Sequence, residues 1–446
     1  MKNLKFHTNV LFTTALMLAG LALTAEAGAE LNQPPKGFVA LFNGTDLSGW
    51  KGLLKGPNDN PAKRAALTPE ELKKFQNEAD EDMRAHWKVE DGALVFDGKG
   101  RSLCTAKDYG DFEMLVEWKI KKDGDSGIYL RGSPQVQIWD TERPNAGVGS
   151  GGLYNNQKKE NPSKPSKKAD KPVGEWNTFR IFMMGDLVTI LLNGELVVDN
   201  VVMENYWERD KPIYPTGQIE LQNHGNTLYF RNIFIREIPR EKGTNTLSDQ
   251  EKSDGFKLLF NGSDLTGWEG NKKSYFVEDG IIIIDPKKGG SGDLFTAEDY
   301  GNFIMRFQFR LTPGANNGLA IRTPFGGHAA YEGMELQILD DASPRYRGWL
   351  KDYQHHGSIY GVVPAKTGAL KPVGQWNEQE VTAKGKQITI KVNGITIVDA
   401  DIEKASTPKT IDEKDHPGLK RDKGRIGFAG HGDRVEFRNL RIKSLD

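Results

Sequence analysis

The sequence predicts an all-β protein made of two antiparallel β-sandwich or jelly-roll domains in tandem. Three observations carry this. The chain repeats itself once, the apolar residues inside each copy alternate with period two, and Asn-Gly turns recur at equivalent places. At 446 residues the chain exceeds one ordinary core and suits two domains of about 200 residues each. With 37% hydrophobic and 27% charged residues it reads as globular, neither disordered nor membrane-spanning. Lys and Arg number 60 against 61 acids, so no basic excess favours a nucleic-acid partner.

Taken in order, the first element is a targeting segment. Lys2 and Lys5 precede an uncharged, mainly apolar run from Val10 to Leu23, and Ala25-Glu26-Ala27 fits a small-x-small cleavage site. Residues 1–29 are therefore expected to be a signal peptide, with the mature protein exported to the periplasm or beyond. The run is too short for a good membrane span. Cys104 is the only cysteine, so no intrachain disulfide can form, and burial as a small apolar residue is expected for it.

The repeat follows. Leu41-Phe42-Asn43-Gly44 with Gly49-Trp50 returns as Leu259-Phe260-Asn261-Gly262 with Gly267-Trp268. Val89-Glu90-Asp91-Gly92 returns at Val277, Thr105-Ala106 at Thr296, Lys171-Pro172-Val173-Gly174 at Lys371, and Phe230-Arg231-Asn232 at Phe437. The offset between copies falls from 218 at Trp50/Trp268 to 188 at Val89/Val277, so the first copy carries about 30 extra residues. Thr68-Pro69-Glu70-Glu71 opens a helix there with a capping box. The expected layout is a first domain at 36–239 with a helical insert at about 51–86, a linker at 240–254 and a second domain at 255–446. Phe112 to Trp118 and Phe303 to Phe309 read as strands with one wet face. Val188 to Val198 and Ile388 to Val398 read as hairpins around Asn193-Gly194 and Asn393-Gly394.

Other marks join these: Ser126-Gly127-Ile128-Tyr129-Leu130-Arg131, Val136-Gln137-Ile138-Trp139-Asp140, Pro172-Val173-Gly174-Glu175-Trp176-Asn177 and Leu221-Gln222-Asn223-His224-Gly225. As an ordered set across both copies they resemble the 3-keto-disaccharide hydrolase family, also described as 3-keto-glucoside-1,2-lyase and 3-keto-2-hydroxy-glucal hydratase. The resemblance implies a concanavalin A-like jelly roll in each copy. It also implies an enzyme that cleaves 3-keto-glycosides by removing the C2 proton, with elimination of the C1 substituent and hydration of the resulting glucal. Such a site needs a base, a donor for the enolate oxygen and an acid for the leaving oxygen.

Candidates follow from residue type and position. Glu335 and Gln337 alternate onto one face of a strand, which makes Glu335 the candidate base and Gln337 a hydrogen-bond partner for sugar hydroxyls. The first copy has Gln135 and Gln137 there, and an amide cannot be a base. His224 is then the first choice in that copy, or the copy binds without turnover. His431 is its counterpart and suits proton transfer. Arg131 and Arg322 either donate to the keto oxygen or pair with Asp140 and Asp340, which close the strands and complete the catalytic set. Ser126, Asn317, Tyr154, Tyr360, His356, Lys171 and Lys371 join Gln137 and Gln337 as substrate-binding candidates. His355 and His356 could also ligate a divalent metal with Glu335, no cofactor being otherwise implied. The expected partner is an oxidised glycoside or another carbohydrate. Two alternatives stand: a carbohydrate-binding protein without catalysis, and a conventional glycosidase with two opposed carboxylates.

Overall fold

The computed structural model describes residues 30–144 and 146–446, so the expected signal peptide at 1–29 lies outside the described residues. Each copy forms a sandwich of two antiparallel sheets, and the two copies share one strand order. In the first copy the larger sheet runs Glu195–Val202, Leu187–Leu192, Asn177–Met184, Phe112–Ile120, Leu228–Glu237, Ala93–Phe96 and Trp87–Glu90, with Val39–Ala40 pairing beside Leu228–Glu237. In the second it runs Ile395–Asp401, Gln387–Val392, Asn377–Lys384, Phe303–Leu311, Val435–Ser444, Ile281–Ile284 and Tyr275–Glu278, with Lys257–Leu258 in the equivalent edge place.

The smaller, five-stranded sheets carry the site. Their orders are Trp50–Gly52, Leu103–Thr105, Glu220–Leu221, Asp125–Leu130, Ser133–Trp139 and, in the second copy, Trp268–Gly270, Gly292–Tyr300, Gly424–Gly430, Asn316–Thr323, Met334–Leu339. Period-two sequence explains why each sheet has a dry and a wet face. Met334, Leu336 and Ile338 enter the core, where Phe428 stacks on Phe437 at 3.8 Å, while Glu335 and Gln337 point the other way. Trp50 and Trp268 are buried, each indole N–H donating to a carbonyl, of Leu41 and Leu259.

The insert forms the helix Pro69–His86, capped by Thr68 and Glu71 as its sequence predicts. It packs on the first copy's small sheet, with the Ala79 backbone against Gly52 and Asp80 accepting from the Gly52 N–H. No helix among the described residues is long and apolar enough to cross a membrane. The expected linker is not a free spacer. Asn245 exchanges hydrogen bonds with Asn439 and donates to the Gly280 carbonyl, as Asn32 does with Asn232 and Gly92. These residues seal the second domain, and they extend the repeat by a segment that polar composition had concealed.

Candidate functional site

On the wet face of the second copy's small sheet, Ala320 lies opposite Glu335 and Gly318 opposite Gln337. These small residues leave room for long side chains to lie across them. A Cβ at Gly318 would stand 2.3 Å from Glu335 Oε1. Glu335 thereby reaches the end of the Gly424–Gly430 strand, where its Oε1 sits 2.7 Å from His431 Nε2. The imidazole is 38% exposed and the carboxylate 5%, so His431 fronts the open space with Glu335 behind it. Burial alone would lower the His431 pKa. The hydrogen bond to Glu335 and the charges of Glu335, Asp293 and Asp433 outweigh it and raise the pKa.

The dyad opens onto a cavity of about 270 Å³. Gln337 Nε2 donates to Asn316 Oδ1 at 2.7 Å on its floor, and Gln354 Nε2 donates to the Tyr360 hydroxyl at 3.2 Å on one wall. Tyr346 and Trp349, edge to face at 5.2 Å, form another wall, and His328 and Tyr331 a third. Rings beside convergent amide and hydroxyl groups are a surface on which a sugar ring can stack while its hydroxyls are met.

The structure thus brings Glu335, His431, Gln337 and Tyr360 together, and it places the other candidates elsewhere. Asn317 and Ser126 are fully buried on the core side, one residue out of phase with the site; Asn316 and Asp125 face outward instead. Arg131 and Arg322 are also buried, away from the wet face and from Asp140 and Asp340. Each has a left-handed backbone, φ 53° and 51°, which breaks the strand alternation and swings the guanidinium between the sheets. There Arg322 donates to the carbonyls of Gly301 and Gly385, and Arg131 to those of Gly110 and Gly185 and to the Asp111 carboxylate. Asp340 and Asp140 are buried turn caps, accepting from the N–H groups of Gly314 and of Asp123 and Glu142. Burial pushes Asp340 up to about 6.

His356 faces the interior, stacked on Phe309 at 5.0 Å, and its Nδ1 accepts from the Leu339 N–H. Burial takes it down to about 4, so it is neutral. His355 turns to Asp341, and among the described residues no three metal-ligating side chains converge. The proposed trio of Glu335, His355 and His356 is therefore not assembled. Lys171 and Lys371 are exposed and donate to the carbonyls of Trp176 and Trp376 in turns of the larger sheets.

The first copy presents a different face. Gln135 and Gln137 are hydrogen-bonded to each other, and Gln137 also donates to Asp125, which pairs with Arg143 at 2.8 Å. His224 is mostly exposed, 3.7 Å from Asp125. Tyr154, the counterpart of Tyr360, is exposed and meets Trp139 edge to face. Glu220 is buried in this sheet, opposite Cys104 and Tyr129, and its Oε1 has no hydrogen-bond partner. Burial raises its carboxyl to about 8.

Sequence reasoning missed Asn316, His328, Tyr331, Tyr346 and Gln354. One signal was available for His328 and Tyr331. The offset between copies rises from 191 at Arg131/Arg322 to 200 at Gln135/Glu335, so the second copy gains nine residues there. They include the short helix Ala329–Glu332, where the first copy has only the turn Arg131-Gly132.

The profile of the 3-keto-alpha-glucoside-1,2-lyase-like domain matches residues 37–236 and again 255–443. A 3-keto-disaccharide hydrolase of Bacteroides thetaiotaomicron is 26% identical over 231 residues, covering 44% of this chain and 80% of that protein. A crystal structure of a candidate glycosyl hydrolase from Parabacteroides distasonis is 28% identical, covers 45% of this chain and 99% of its own, and has a TM-score of 0.40. A carbohydrate-binding module, CBM66 of Bacillus subtilis, is 12% identical, covers 40% and 96%, and has a TM-score of 0.25.

Proposed function

The chain belongs, by both of its domains, to the 3-keto-alpha-glucoside-1,2-lyase-like family, and from that premise we propose that its second domain cleaves 3-keto-glycosides through proton abstraction at C2. A carbonyl at C3 acidifies the hydrogen on C2. His431, held by Glu335, takes that proton and the electron pair becomes an enolate. The pair then forms the C1–C2 double bond as C3=O is restored and the C1–O bond breaks. Water adding across the new double bond completes a net hydrolysis. The observation that carries this reading is the Glu335–His431 pair at 2.7 Å, at the mouth of an aromatic-walled cavity. Glu335, the candidate base on sequence grounds, acts in this reading by orienting the imidazole and stabilising the imidazolium that forms. Asn316, Gln337, Gln354 and Tyr360 would meet the hydroxyls.

The first domain, with Gln135 at the carboxylate position and Asp125 engaged by Arg143, binds carbohydrate without turning it over in this reading. The amino-terminal segment supports export of the protein. The test is incubation of the full chain with a 3-keto-disaccharide and with its unoxidised parent in D2O. Consumption of the ketone alone, with deuterium entering at C2, is expected. Cleavage of the parent would instead indicate a conventional glycosidase, and loss of neither would leave a binding protein.

A further inference from the structure

We propose that Tyr331 is the acid that protonates the leaving oxygen, with the Lys414 ammonium stabilising the phenolate that forms, an inference that rests on the reaction assigned above to the second domain. Tyr331 lines the same cavity as His431, on the helix Ala329–Glu332 that only the second copy has. Its ring is held between two others, with His416 at 5.0 Å and His328 at 4.9 Å. His416 is itself fixed, bonded to the Ala330 carbonyl at 2.9 Å and to Asp412 at 3.1 Å. The Tyr331 hydroxyl accepts a hydrogen bond from Lys414 Nζ at 2.9 Å. Lys414 is anchored through its backbone, its N–H donating to Asp412 and its carbonyl accepting from Thr410.

A free phenol, with a pKa of about 10, is a poor acid at neutral pH. The Lys414 ammonium, 2.9 Å from that oxygen, is placed to meet the negative charge that develops there as the proton passes to a departing alkoxide, which is far more basic. That oxygen bond is the feature hardest to explain as packing, because an exposed lysine has water available to it. The step balances. His431 removes the C2 proton, the C1–O electron pair leaves on the glycosidic oxygen, and that oxygen takes the Tyr331 proton. The products are the unsaturated keto sugar and an alcohol, with imidazolium and phenolate left to exchange protons with solvent.

The experiment compares Tyr331→Phe and Lys414→Gln with the unaltered chain on two 3-keto-glucosides, one with an alkyl and one with a p-nitrophenyl leaving group. The p-nitrophenolate departs without an acid. Tyr331→Phe is expected to lower kcat/KM on the alkyl glycoside by roughly 10²–10³-fold and on the aryl glycoside by less than about ten-fold, with C2 exchange retained. Lys414→Gln should give a smaller split in the same direction. Phe keeps the ring contacts and Lys414 is at the surface, so melting temperatures should hold for both. Equal losses on both substrates, or no loss, would overturn the acid role while leaving the reaction standing. If the unaltered chain spares both glycosides, the reaction itself falls, and this role with it.

Discussion

At His431 one carboxylate does two jobs. Glu335 fixes which ring nitrogen faces the cavity, and its charge keeps the imidazole protonated to a higher pH than a free histidine. A base must be neutral to act, so kcat/KM should fall as pH drops through that raised pKa, with an acid limb above the ordinary histidine range. Glu335→Gln removes the charge. It is expected to move the limb to lower pH and to reduce the plateau by roughly 10²–10⁴-fold, read from a pH–rate profile. An unmoved limb would disconnect the pair from catalysis. Glu220 makes the opposite kind of prediction, about stability. Its carboxyl keeps its proton to about pH 8 when folded but releases it near 4.5 in a free chain. Between these values the unfolded state binds fewer protons, so the first domain should lose stability as pH rises. Glu220→Gln should flatten that loss and gain on the order of 4 kcal/mol at pH 8.5 relative to pH 5, measured by urea denaturation.

Among the elements, the strands were legible because period two is a local property, and the match of Gln135 and Gln137 to Glu335 and Gln337 pointed to a strand that lines the cavity. The phase of the adjoining strand was not. The repeat pairs Asn317 with Ser126, but Gly318 opposite Gln337 puts Asn316, not Asn317, next to it on the wet face. Arg322 departs from the expected face for a related reason. Its left-handed backbone is invisible in a side-chain pattern, and it converts an expected sugar contact into a clamp between sheets. Arg322→Ala should therefore destabilise the second domain by about 2–4 kcal/mol, since buried carbonyls lose their donors. Thermal unfolding would show this. At temperatures where the variant is folded, KM should stay within about two-fold, and a large KM change at unchanged stability would return the arginine to the sugar.

The whole molecule adds a contact that neither copy has alone. Arg345, beside the Tyr346–Trp349 wall, makes a two-point ion pair with Asp199 of the first domain, at 2.7 and 2.9 Å, and also binds Asp433 and the Gly314 carbonyl. Asn200 donates to the Pro313 carbonyl next to it. The first domain, which has glutamine where the second has Glu335, thus braces the wall of the second domain's cavity. Asp199→Ala should raise KM about two- to five-fold with kcat nearly unchanged. It should cost no more than about 1 kcal/mol of stability, because the pair is partly exposed. Parallel steady-state kinetics and melting curves would check both. An unchanged KM would make the contact purely structural.

By itself the sequence determined the duplication, the all-β class, the capped helix in the first copy and the loss of a carboxylate at Gln135. Each is written in neighbouring residues or in the comparison of one copy with the other. Only the tertiary structure decided which side chains meet. Glu335 and His431 are 96 residues apart and touch because the Gly424–Gly430 strand lies beside Asn316–Thr323, which carries only Gly318 and Ala320 beneath the carboxylate. Strand order, the phase of each strand and the turns that break it are set by long-range packing. The convergence of a site depends on all three.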